Sequence, residues 1–92
     1  MRFKYDVKKS ARLRGNKRRG IGFEEAQALW TQPFYLDQRC EVPEQFRAIG
    51  WVRARLYAVI YEVREDASGE YYHLVTLWKA TDEEERLYEQ HA

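Results

Sequence analysis

The sequence has little cysteine, proline and glycine, with one, two and five of these residues among 92. The single cysteine, Cys40, excludes an internal disulfide framework and is typical of the reducing cytoplasm, where we expect this protein to be located. No run approaches the roughly 18 apolar residues that a membrane helix requires, which excludes a spanning helix. The basic N-terminus is not followed by an apolar segment, so it lacks the pattern of a secretory signal.

Aromatic and aliphatic residues are plentiful by comparison. Hydrophobic residues make up 45% of the chain, and four Phe, seven Tyr and three Trp supply large apolar surfaces. This content argues against global disorder and supports a packed core. The length has room for one core of workable size, so we predict a single domain over residues 1–92.

Charge is unevenly distributed along the chain. Residues 1–20 contain nine Lys or Arg residues and one Asp, a net charge of +8, whereas the remaining 72 residues contain seven basic and fourteen acidic residues, a net charge of −7. A basic segment of this kind attracts phosphate groups or an acidic protein surface. The alternative is a solvated basic arm, and charge alone does not decide between these interpretations.

The first half of the chain has mainly helical patterns. Basic and aromatic side chains alternate over residues 2–5, a pattern that predicts a short edge strand. Asp6 is a suitable N-cap for a helix over residues 7–18. A second helix is predicted over residues 23–31, because its apolar residues share one face and acidic residues occupy its first turn, and Pro33 ends it.

The second half of the chain changes to strand patterns. Strands are predicted over residues 34–37, 51–64 and 70–78, with a polar loop at 38–45, and a capping box opens a helix over 81–90. The strand at 51–64 has apolar residues on both faces, which places it centrally in the sheet. The predicted class is therefore α+β, a small antiparallel β-sheet with two N-terminal helices and one C-terminal helix.

Metal ligation has no support in the sequence. Cys40, His73 and His91 lack the spacing of a metal site, and no acidic cluster is organised for Mg²⁺. We therefore predict no metal and no cofactor. His73 lies in a predicted strand, where a structural role is the more common one, although histidine is the usual general acid near neutral pH.

Five segments, taken in order, resemble one protein family. They are YDVKK at 5–9, RRGIGFEEA at 18–26, EQFRAIG at 44–50, RLYAVIYEVR at 55–64 and LVTLWKATDEEERLY at 74–88. Together they are similar to the BrnT-type toxins of bacterial toxin–antitoxin systems, and the similarity covers nearly the whole chain. The resemblance implies a RelE-like fold and a ribonuclease activity that needs no metal. It also implies neutralisation by a ribbon-helix-helix antitoxin, in a heterotetramer with that protein.

Metal-free RNA cleavage needs a base for the 2′-hydroxyl proton and cations for the charge that develops on phosphorus. The resemblance assigns the base to Glu44 and the catalytic cation to Arg64. Arg47 and Trp78 are candidate substrate-binding residues, because arginine binds phosphate and tryptophan can stack on bases. The basic run Lys17, Arg18 and Arg19 is a third candidate for substrate binding.

Each of these candidates has a structural alternative. Glu44 has the pattern of an exposed loop carboxylate, and Arg64 that of a partner in a cross-strand ion pair. Arg47 and the run at 17–19 can be surface residues, and Trp78 can belong to the core.

Three positions depart from the family pattern. Arg19, Gln45 and Trp78 stand where the family has histidine, arginine and arginine, respectively. All three positions are suited to handling a phosphate. The sequence therefore leaves a second interpretation open, in which the chain is a catalytically degenerate module that binds an antitoxin or nucleic acid without cleaving it.

Overall fold

A five-stranded sheet organises the computed structural model, which describes residues 1–92. The strands are β1 (Arg2–Lys4), β2 (Tyr35–Glu41), β3 (Glu44–Val52), β4 (Arg55–Asp66) and β5 (Gly69–Lys79). The helices are α1 (Val7–Gly15), α2 (Phe23–Ala26), which continues as a 3₁₀ turn (Gln27–Thr31), and α3 (Asp82–His91). The spatial order is β1-β5-β4-β3-β2, with only the β1–β5 pair parallel. The predicted α+β class is confirmed, and the sheet, predicted to be antiparallel, is antiparallel except for the β1–β5 pair.

Two of the strand predictions are wrong in their bounds. Residues 38–45 are not a loop, because β2 extends to Glu41 and β3 begins at Glu44, so the polar residues form an exposed hairpin. The strand predicted over 51–64 is interrupted, since Trp51 and Val52 belong to β3. Arg53 turns the chain with a φ of 57°, a conformation uncommon for arginine, and no Gly, Pro or Asn marks that turn.

Central placement is confirmed for β4, which lies between β5 and β3. The predicted N-cap is also confirmed, because the Asp6 carboxylate accepts hydrogen bonds from the amides of Lys8 and Lys9. Helix α1 ends at Gly15 instead of residue 18. The Asn16 side chain accepts a hydrogen bond from the Arg18 amide, a local turn that competes with continuation of the helix.

One face of the sheet, the helix-covered face, packs against the first two helices and the 3₁₀ turn. Phe23, Ala26 and Leu29 from these elements are fully buried. They meet alternate residues of the three long strands, namely Ala48, Val52, Tyr57, Val59, Tyr61, Leu74 and Leu77. This layer is the main hydrophobic core, and the helices packed on it exclude water from it.

The other face, the open face, consists of the intervening residues. They include Arg47, Ile49, Trp51, Ala58, Ile60, Glu62, Arg64, Tyr71, His73, Thr76 and Trp78. Helix α3 covers part of this face near β2 and β3, where the Trp51 and Tyr88 rings meet edge to face with centroids 6.4 Å apart. The remainder of the open face carries polar side chains and no helix. No helix of the protein has the length and apolar character needed to cross a bilayer.

Candidate functional site

Four polar side chains meet on the uncovered part of the open face, and we call them the polar group: Gln45, Glu62, Arg64 and His73. Glu62 and Arg64 are two residues apart in β4, so both point to the same side of the sheet. His73 of β5 lies directly opposite Glu62 in the strand register. Strand alternation and register therefore bring together residues that are distant in the chain.

The Glu62 carboxylate is the centre of the polar group. It accepts hydrogen bonds from Nε2 of Gln45 at 2.8 Å and from Nε and Nη2 of Arg64 at 3.0 and 2.6 Å. The Gln45 hydrogen bond, followed by that of Arg64, lowers the pKa of Glu62. The Glu62 side chain is only 14% exposed, whereas that of Arg64 is 47% exposed. Glu62 is thus held ionised and positions a guanidinium that faces solvent.

His73 has an environment that favours the neutral imidazole. Partial burial lowers its pKa, and the positive charge of Arg64 lowers it further, while Glu62 acts in the opposite direction. A histidine with a lowered pKa is uncharged at neutral pH, so one ring nitrogen can accept a proton. The polar group therefore combines a proton acceptor with an adjacent cation.

A second hydrogen-bonded cluster, the α3 anchor, joins the C-terminal helix to the sheet through Glu84. The Glu84 carboxylate accepts bonds from Nη1 of Arg47 at 3.2 Å and from Nε1 of Trp78 at 2.9 Å. Arg47 also forms a bidentate pair with Asp37, at 3.0 and 2.5 Å, and the Tyr35 hydroxyl donates to Asp37 at 3.0 Å. Glu84 is 3% exposed, and its buried charge is compensated by these donors.

Arg47 and Trp78 are therefore brought together, as two predicted substrate-binding residues on one face. Their polar atoms bind other groups of the protein, however. Arg47 is shared between the carboxylates of Asp37 and Glu84, and Nε1 of Trp78 donates to Glu84. The hydrogen bond and charge of Asp37 raise the pKa of Arg47. The ring of Trp78 is half-buried, so part of it stays accessible at this cluster.

Glu44 and Arg64, the predicted catalytic pair, are not brought together. Glu44 is the first residue of β3, and its exposed side chain has no hydrogen-bond or ion-pair partner. It precedes Gln45, which contacts Glu62 on the open face, so alternation directs Glu44 to the opposite side of the sheet. The carboxylate that does contact Arg64 is Glu62.

The run at 17–19 lies in the turn after α1 and does not join the polar group. The Tyr57 hydroxyl, which comes from the helix-covered face, donates to the carbonyl of Arg19 at 2.6 Å. The Arg19 guanidinium donates to the carbonyl of Leu77, and Lys79 donates to the carbonyl of Lys17 at 3.2 Å. Arg19 thus fixes this turn to the sheet, while Lys17 and Arg18 have no carboxylate partner.

Sequence reasoning missed Glu62, Glu84 and the place of His73 in the site. Glu62 had a usable signal, because a carboxylate and an arginine two residues apart in a strand must share a face. Glu84 had a signal only for a helix cap, which it also forms by accepting from the Thr81 amide at 3.0 Å. His73 depends on the β4–β5 register, which shifts by one residue between Ile60 and Tyr61.

Two further features complete the description of the surface. An open cavity of about 350 Å³ lies between the β3–β4 turn and the start of α3, lined in part by Trp51, Arg55, Asp82 and Glu85. It contains none of the candidate residues. No group of three or more His, Cys, Asp or Glu side chains is arranged to hold a metal ion.

Comparisons with known proteins add no assignment: no family model and no curated protein matches the chain. The similarity to BrnT-type toxins therefore stays a prediction from the quoted segments. Any functional conclusion must rest on the side chains of the open face together with that resemblance.

Proposed function

We propose that the protein is a metal-independent endoribonuclease that acts as the toxin of a type II toxin–antitoxin system in the bacterial cytoplasm. The observation that carries the proposal is the polar group, in which His73 lies opposite Glu62 in the strand register and Glu62 binds the Arg64 guanidinium on an uncovered sheet face. The resemblance to BrnT-type toxins supplies the substrate class. A RelE-like arrangement, with two N-terminal helices and one C-terminal helix around the sheet, is part of this proposal.

His73 replaces Glu44 as the base in this mechanism. Its neutral ring nitrogen accepts the proton of the RNA 2′-hydroxyl, whose oxygen then attacks the adjacent phosphorus. The bond from phosphorus to the 5′ oxygen breaks, and that oxygen leaves with a proton taken from solvent. Arg64 stabilises the additional negative charge on the phosphorane, and Glu62 positions Arg64. The products are a 2′,3′-cyclic phosphate and a 5′-hydroxyl.

The test is cleavage of a labelled single-stranded RNA by purified wild type, His73→Gln, Arg64→Ala and Arg64→Lys proteins. We expect His73→Gln and Arg64→Ala each to cleave the RNA about a hundredfold or more slowly than wild type. Arg64→Lys should recover part of that loss, because lysine keeps the charge but not the planar fork. Chelator should leave the rate unchanged.

Glu44→Ala is the matched control, because Glu44 is a nearby carboxylate without a partner. It should cleave like wild type. If Glu44→Ala is inactive and His73→Gln is fully active, the assignment of the base to His73 is wrong. Circular dichroism first shows that each variant is folded.

The proposed partner is a ribbon-helix-helix antitoxin that covers the basic N-terminal segment. Part of this charge is neutralised internally, since Arg2 and Lys4 pair with Asp66 and Arg14 pairs with Glu24 and Glu25. The basic residues of this segment without a carboxylate partner are Lys8, Lys9, Arg12, Lys17, Arg18 and Arg19.

Binding of the antitoxin should weaken steeply with salt, and native mass spectrometry should show a heterotetramer. An affinity that does not change with salt would contradict electrostatic docking.

A second function, a binding module that does not cleave RNA, is favoured by one specific observation. Two arginines of the open face, Arg47 and Arg64, both pair with carboxylates of the protein. A paired guanidinium is less available to a phosphate. RNA binding without cleavage, and expression in bacteria without growth arrest, would support this function. Gln45→Arg and Trp78→Arg would then test whether restoring the family residues restores cleavage.

A further inference from the structure

Trp78 presents a ring that the α3 anchor holds in place. Its Nε1 donates to Glu84, whose carboxylate is buried and also bound by Arg47. A ring fixed through its only polar atom loses little conformational freedom when something stacks on it. Trp78 is nonetheless only half-buried, so part of its surface is accessible on the open face.

Arg39 covers that ring from the edge of the sheet. Its guanidinium carbon lies 5.5 Å from the centroid of the Trp78 ring, within the range of a cation–π contact. Arg39 is exposed and forms no ion pair, although Asp37 and Glu41 flank it on the same strand. Asp37 is already bound by Arg47.

Arg39 lies at an irregularity in the sheet. The register of β2 against β3 shifts between Gln38 and Cys40, which leaves Arg39 without a partner in the ladder. An extra residue of this kind redirects its side chain, and such bulges are common beside functional sites. At this bulge, a guanidinium without a carboxylate partner lies over the one ring that Glu84 holds in place.

We propose that Arg39 and Trp78 form a stacking slot for one unpaired base of single-stranded RNA, an inference that rests on the proposed ribonuclease function. A base held between both groups needs roughly 7 Å, twice a van der Waals separation. The exposed Arg39 side chain therefore moves outward by a small distance to admit the base. Aromatic rings and guanidinium planes on sheet surfaces are the groups that bind unstacked bases.

The slot lies on the same face as the polar group, and Trp78 is on the same strand as His73. Five positions of β5 separate Trp78 from His73, about 15 Å along the strand. A single strand that crosses the open face can place one base on Trp78 and a phosphate at Arg64. The slot thus binds the RNA a few nucleotides from the reacting bond and sets which bond is cut.

The experiment measures binding of two fluorescein-labelled decamers by fluorescence anisotropy. One is 2′-O-methyl oligoadenylate, which lacks the hydroxyl needed for cleavage, and the other has the same backbone without bases. Wild type should bind the base-bearing strand about tenfold more tightly than the abasic one. Trp78→Leu should reduce that ratio to near one with little change in abasic binding, and Trp78→Phe should retain most of it. Arg39→Gln should lower the ratio and weaken binding of both strands.

Trp51→Leu is the matched control, because Trp51 lies on the open face but against Tyr88 of α3. Its ratio should equal that of wild type. The slot is overturned if wild type binds the base-bearing and abasic strands equally, or if Trp78→Leu keeps the wild-type ratio of the two affinities. In either case, RNA cleavage by wild type would still support the proposed function. If wild type binds neither strand and does not cleave RNA, both proposals fail. If Trp78→Leu does not fold, Arg39→Gln keeps the test valid, since Arg39 is exposed and its loss should still lower the ratio.

Discussion

The helix-covered face and the open face are built from the same strands, but the first is apolar and the second mixes apolar with charged side chains. In β4, Tyr57, Val59 and Tyr61 point towards the helices, whereas Glu62 and Arg64 point to the open side. The aromatic rings of the helix-covered face contact one another, with Tyr61 and Tyr72 centroids 4.4 Å apart. Burial raises the pKa of Tyr61 far above its ordinary range. Apolar packing and polar contacts therefore alternate along this strand.

The open face is itself divided by α3. Ala58 and Ile60 lie on this side and are nevertheless fully buried. Beyond them, no helix covers Glu62, Arg64 and His73. The difference between the two faces is thus a difference in what packs on them, and substitutions on each face should have separable effects.

The largest effect is expected on the helix-covered face. Phe23→Ala should lower the free energy of unfolding by about 3–5 kcal/mol, because Phe23 is fully buried and its loss leaves a cavity. Val7→Ala is the control, since Val7 is 69% exposed at the start of α1. Urea denaturation measures both. A loss below about 1 kcal/mol in Phe23→Ala would mean that this face does not carry the stability of the fold.

The next effect concerns the α3 anchor on the open face. Glu84→Ala should destabilise by about 3 kcal/mol, because it leaves the Arg47 and Trp78 donors without their shared buried acceptor. The exposed neighbour Glu83 provides the control variant Glu83→Ala, with an expected change within about 0.5 kcal/mol. Thermal unfolding compares the two. Equal melting temperatures would show that α3 is held by its apolar contacts alone.

A smaller effect is expected from the titration of His73. Its folded pKa lies below the ordinary value, so the unfolded chain binds the proton first. The associated stability is present above the ordinary histidine pKa and is lost as the pH falls below it. NMR titration of the His73 imidazole is done in the His91→Gln protein, which leaves one histidine. Its midpoint should lie below the ordinary histidine pKa. Adding Arg64→Ala should raise this midpoint. An unchanged midpoint would show that Arg64 does not lower the pKa of His73.

The smallest effect is expected at the sheet margin, where Asp66 pairs with Arg2 and Lys4. These hydrogen bonds hold the pKa of Asp66 well below its usual range. The stability from this pair is present above the ordinary aspartate pKa and lost as the pH falls through the lower folded value. Asp66→Asn should therefore flatten the decline in melting temperature below pH ~4. The difference should shrink in high salt, and an identical decline in both proteins would contradict this account.

Local signals account for the parts of the fold that the sequence predicted. The Asp6 cap, the two apolar faces of β4 and the capping box of α3 each depend on residues within a few positions of one another. The turn at Arg53 was missed because neither it nor Ala54 is a turn-forming residue, and the alternating pattern continues across it. The 38–45 segment was misread because an exposed hairpin and a loop have the same polar composition.

The sequence by itself determined the α+β class, the central strand and the choice of Arg64, Arg47 and Trp78 as residues of interest. Only the tertiary structure decided which partners they have. Glu62, not Glu44, contacts Arg64, because alternation sends neighbouring residues to opposite faces. Glu84 reaches Arg47 and Trp78 because α3 returns across the sheet. Register shifts and the packing of a distant helix depend on the whole chain, and no local pattern encodes them.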